Sequence, residues 1–171
     1  MPKMIDLNER RQDIIAVATK LFEKFVNMPK DVRPDDKERT GIQVLVWEPG
    51  TRNLVMASIK EPSEAAKFFA VEKAVRSHTL DHCSSANSAD PSKMKFPGSV
   101  SVKFVHPGGI SRSILVASVS GLKSEEDVAI SVAILAKIFG SSFVEACEHV
   151  AGELPDWYGN HDKSYFMFLF K

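Results

Sequence analysis

A chain of 171 residues, 44% hydrophobic and 26% charged, has the make-up of one globular domain, long enough to bury roughly 70% of its unfolded surface. Lys plus Arg and Asp plus Glu both number 22, and no basic stripe interleaves with aromatics. That argues against nucleic acid as a partner, because phosphate contacts need a positive footprint.

Two cysteines, Cys83 and Cys147, make neither a disulfide framework nor a zinc knuckle. Reduced thiols in a soluble, cytoplasmic protein are the expectation, with no metal site. The first residues lead into a charged helix rather than an apolar signal core. No apolar run approaches the roughly 20 residues that span a bilayer, so no membrane is expected among the partners.

In chain order, residues 6–28 read as an amphipathic helix, with Leu7, Ile14, Ala18, Leu21 and Phe25 on one side. Asp6 is its expected N-cap, with Glu9 at the capping-box position, and Pro29 stops it. The next ten residues, 30–39, carry eight charges and Pro34. They read as a solvated, mobile loop.

Residues 42–47 and 54–59 are β-branched and aromatic-rich runs around the turn residues 48–53, and predict a hairpin. A second helix is expected over 63–80, capped by Ser63. Phe68, Val71 and Val75 line one face of it, with Ala70 and Ala74 beside them. Residues 84–95 are a polar loop. A second hairpin joins 99–105 to 113–119 around His106-Pro107-Gly108-Gly109.

The strongest helical pattern covers 125–139. Ser124 caps it, and Glu125, Glu126 and Asp127 sit at the positive end of its dipole. Gly140 ends it, and Ser142 with Glu145 opens a short helix to about 151. Hairpins alternating with helices imply an α+β domain with an antiparallel sheet of about four to five strands, not a doubly wound parallel sheet.

Several stretches resemble the haem-degrading domain family of GlcG-like and HbpS-like proteins. Residues 42–59 (IQVLVWEPGTRNLVMASI) are similar to the family's first hairpin, and EKAVRS at 72–77 to a segment of its following helix. Phe96-Pro97-Gly98 resembles the entry to its second hairpin. The run ILVASVSGLKSEEDVAISVA at 114–133 resembles its strand ending in Ser-Gly, followed by an acidic cap and an Ala-rich helix. The sequence departs from the family at Ser99, where Gly is common, and in the first hairpin turn. Residues 141–171 have no clear counterpart.

The resemblance covers 7–140. It implies a profilin-like fold, small-molecule binding with haem as a possible cofactor, and assembly as a homo-oligomer. It also brings forward Lys73 and Arg76 as candidate partners of a carboxylate or a haem propionate, with solvated helix charges or an intersubunit salt bridge as the plainer reading. Residues 141–171 would form a helix and an aromatic tail on the same domain or on a neighbouring subunit.

Candidate ligand residues from the pattern itself are few. His78 and His82 stand four apart, on one helical face if the helix reaches that far, and could share a metal or present an axial haem ligand. The plainer reading is a pair of imidazoles interacting with the negative end of a helix. His106 lies in an exposed turn that a ligand can approach closely. Cys147 and His149, two apart on a helix, make a poor metal pair. Asp35 and Asp36 fall in the charged loop, where no apolar pocket raises a carboxyl pKa. No Walker, GxGxxG, GxSxG or HExxH motif occurs, so catalytic residues are unknown.

The run 165–170 (YFMFLF) is too apolar to stay exposed. It either adds a strand to its own sheet or packs on another subunit. Two functions follow as expectations: an oligomeric small-molecule-binding protein with its pocket between the sheet and the second helix, or a non-enzymatic adaptor that binds a protein partner.

Overall fold

The computed structural model describes residues 5–79, 85–105, 107–109 and 111–149. The elements run α1 (Arg11–Val26), β1 (Gly41–Glu48), β2 (Asn53–Lys60), α2 (Glu64–Thr79), β3 (Ser99–Val105), β4 (Ser111–Ser120), α3 (Ser124–Phe139) and α4 (Phe143–His149). Two short 3₁₀ turns, Ser85–Ser88 and Pro91–Lys93, lie in the loop before β3. The four strands form one antiparallel sheet in the order β2-β1-β4-β3. It is made of the two expected hairpins, joined through β1 and β4. This is an α+β arrangement consistent with a profilin-like fold.

The two faces of the sheet are built differently. On one face, Val44, Val46, Leu115, Ala117 and Val119 pack against Ile14 and Phe25 of α1 and Ile130 and Ile134 of α3. This is the main core, and Val128, Ile130, Val132, Ile134, Leu135 and Ile138 of α3 are all buried in it. The other face is largely polar, with Ser99, Ser101, Ser118 and Gln43 on it, and α2 lies across.

The face α2 buries is not the one its large residues suggest. Ala66, Ala70, Ala74 and Ser77 are buried, whereas Phe68, Val71 and Val75 point to solvent. The reason is closeness of approach. The Ser118 hydroxyl donates to the Ala70 carbonyl at 2.6 Å, which leaves no room for a bulky side chain between helix and sheet.

The termini of the helices also correct the sequence reading in places. Asp6 accepts hydrogen bonds from the amides of Asn8 and Glu9, but the helix itself begins at Arg11. Ser63 accepts from the Ala66 amide as an N-cap should. Ser142 and Glu145 form the reciprocal capping box, and Gly140 ends α3 in the left-handed conformation. At α3, the residue in the cap position is Lys123, and Ser124 is already inside the helix. The run 165–170 lies outside the described residues. Among the described residues, no helix is long and apolar enough to cross a membrane.

Candidate functional site

The acidic start of α3 is not a solvated cap. Glu126 and Asp127 are 0% and 2% exposed, and each closes a separate buried ion pair. Asp127 meets Lys73, which reaches down from the middle of α2. The Lys73 ammonium donates to Asp127 Oδ2 at 3.1 Å, to the Val119 carbonyl at 3.1 Å and to Ser120 Oγ at 3.2 Å. The other Asp127 oxygen accepts the Leu122 amide at 3.0 Å. Burial, opposed by Lys73 and by that amide, pushes the Asp127 carboxyl up to about 6.

Glu126 takes a different partner. Arg33 grips its carboxylate with two parallel bonds, the second at 2.7 Å, and also meets Asp35 at 3.1 Å. Arg39 then bonds Asp35 at 2.7 Å and the carbonyls of Gly121 and Leu122. The segment 30–39, expected as a solvated loop, is thus tied to the β4–α3 turn. Asp35 is 8% exposed on its side chain. Burial raises its carboxyl, but the hydrogen bond from Arg39 and the neighbouring charges outweigh this and hold it below its usual value.

Two glycines, one before β3 and one in the β4–α3 turn, make room for this packing. A side chain on Gly98 would place its Cβ 2.6 Å from the Lys73 nitrogen and 2.5 Å from the Val119 carbonyl, at a φ of +148°. Gly121 has φ +138°, and a Cβ there would collide with the Gly41 carbonyl.

Around this turn opens a cleft of about 620 Å³. Ala65, Ala66 and Phe69 of α2 form one wall, with Phe96 edge-on to Phe69 at 5.2 Å between ring centres. Lys73, Ser120 and Asp127 make the floor, and Lys37, Glu38, Lys123 and Glu125 stand at the rim. The Lys73 ammonium thus has three acceptors in place, one from each of Asp127, Val119 and Ser120. The floor is a preorganised polar surface.

The residues singled out from the sequence scatter. Lys73 lies in the cleft. Arg76 does not: it bonds the carbonyls of Ser85, Ser88 and Phe96, and Glu72 at 3.0 Å, fastening the loop before β3 to α2. His78 sits towards the other end of α2, edge-on to Trp47 with ring centres 4.6 Å apart. Its Nδ1 is buried without a hydrogen bond. Burial, and then the charge of Lys103, hold its pKa below the usual histidine value. His82 and His106 lie outside the described residues. Among the described residues, no group of three His, Cys, Asp or Glu is placed to hold a metal ion.

What the pattern did not reveal is the set Arg33, Arg39, Ser120, Glu126 and Asp127. Its trace in the sequence is the Ser-Gly turn followed by three acids, which the helix dipole accounts for without any burial.

No family model matches this chain, and no curated protein does. Among solved structures it is similar to the Klebsiella pneumoniae protein ORFY, described as DUF336. The identity is 16%, the match covers 81% of this chain and 97% of that one, and the TM-score is 0.53. At that identity the likeness is one of fold.

Proposed function

We propose that this chain is a small-molecule-binding protein of the GlcG-like type, with its ligand seated in the cleft between α2 and the β4–α3 turn. The carrying observation is the cleft itself: aromatic walls above a floor fixed by a buried ion pair. Its volume falls within the roughly 300–1,000 Å³ of small-molecule sites, which join apolar walls to a few fixed polar groups. The fold likeness to ORFY supports the architecture of the reading, and the ligand rests on the cleft alone.

The ligand this cleft suits is an organic molecule with a flat apolar body and polar edges. Haem suits it less well. Among the described residues, the lining contains no His, Cys, Met or Tyr to ligate iron. His78 lies outside the lining. The residues present do not fit an iron-ligated haem in this cleft.

The experiment is a thermal-shift screen of a small-molecule library against the wild-type protein and Ala65→Trp. Ala65 is an exposed cleft wall, so the indole fills the space without disturbing the core. Compounds that stabilise the wild type should lose that effect in the variant. Equal stabilisation of both would sink the reading.

A further inference from the structure

Helix α2 carries its large apolar residues outward. Phe68, Val71 and Val75 are 63%, 40% and 47% exposed, and their spacing draws one seam along the helix. The side of the seam can be placed. Phe69 stacks on Phe96 and Arg76 bonds the Phe96 carbonyl, so positions 69 and 76 form the flank that faces the loop before β3. At about 100° per residue, Val71 and His78 fall on the opposite flank. His78 accordingly touches Trp47 of β1.

Beyond β1, the edge strand β2 continues that surface. Leu54 and Met56 pair with Trp47 and Leu45, so they lie on the same face of the sheet as α2. Helix α2 packs over β4, β1 and β3, and Leu54 and Met56 remain 49% and 40% exposed. Single exposed apolar residues need no explanation, but three along one helix seam, with two more on the same face of the sheet, mark an interaction surface.

Charge indicates the occupant. With Phe68 and Val75 at heptad a positions and Val71 at d, Lys67 takes g and Glu72 the following e. Two copies of α2 side by side in parallel therefore set each Lys67 against the other copy's Glu72. Within one chain these two do not meet: Lys67 bonds Glu64 at 2.8 Å and Glu72 bonds Arg76 at 3.0 Å. We propose that the Phe68–Val71–Val75 seam is the self-association surface of this protein, a parallel two-fold contact between the α2 helices of two copies. Such a contact uses the same patch on both partners, as a closed dimer requires.

Sedimentation velocity on the full chain tests this. The wild type should form a concentration-dependent dimer, and Val71→Glu should weaken it roughly a hundredfold, as removal of a central apolar anchor does. Lys67→Glu should weaken it less, and Lys67→Glu with Glu72→Lys should restore it. Val75→Glu provides a second variant that leaves the Glu72–Arg76 pair in place, and circular dichroism checks the fold of each. A wild type that stays monomeric at all concentrations overturns the proposal, as does a folded Val71→Glu chain that associates like the wild type. A monomeric wild type that dimerises once residues 151–171 are removed also overturns it, by assigning the seam to the chain's own C-terminal segment.

Discussion

Lys73 of α2 and Asp127 of α3 meet at 3.1 Å with side chains 2% and 3% exposed, and they join the two faces of the sheet across the end of β4. Removing one partner of such a pair leaves a buried charge without its counter-ion, at a cost of about 3–5 kcal/mol. Lys73→Met should lower stability by that amount in urea unfolding. A loss below about 1 kcal/mol, the scale of an exposed pair, would mean the pair is solvated.

The same pair sets a pH dependence. The Asp127 carboxyl is raised to about 6 from 3.8, so between these values the folded state holds a proton that the unfolded state has released. The corresponding stability is fully present below pH 3.8 and is lost as pH rises through 6. At about 1.4 kcal/mol per pKa unit, it amounts to about 3 kcal/mol. Asp35, whose carboxyl is lowered, acts in the opposite sense and loses its contribution as the solution is acidified. The clean measure is therefore the stability difference between wild type and Asp127→Asn. It should grow in favour of the wild type from above pH 6 to below pH 4, and a flat difference would contradict the assignment.

Arg33 should matter more than its place in a charged loop suggests. Arg33→Ala takes the guanidinium from Glu126, which is 0% exposed, and should cost about 3–5 kcal/mol. It should also release the segment 30–39, read as faster tryptic cleavage there. A stability loss with no change in cleavage would place the segment's attachment elsewhere.

His78 should titrate below the ordinary histidine range in proton NMR, because burial and then Lys103 disfavour its charged form. Its contribution to stability is present above pH 6.5 and is lost as pH falls through the lowered folded value. Lys103→Met should move the titration upward. The same residue separates two modes of haem binding. A Soret change that disappears in the His78→Ala, His82→Ala double variant but survives in Ala65→Trp would place haem outside the cleft.

Much of the fold was legible in the sequence because local chemistry specified it. The β-branched and aromatic runs 42–47 and 54–59 around their turn residues, the Ser63 cap and the Ser142–Glu145 box all act over a few residues. The outward face of α2 was not, since hydrophobic periodicity assumes that large residues face the sheet. Here Ala70 and Ser118 meet so closely that size is excluded. The site was hidden for a related reason. Its ion pairs join residues 54 and 93 positions apart, and nothing local marks Arg33 or Asp127 as buried.

Nitrogen–proton correlation spectra of the wild-type protein, recorded during titration with the strongest hit of the thermal-shift screen, test the central reading most directly. Saturable shifts concentrated at Ala65, Ala66, Phe69 and residues 120–127 are expected, together with their loss in Ala65→Trp. Saturable shifts centred on Trp47, His78 and Lys103, with the cleft residues unmoved, would contradict it.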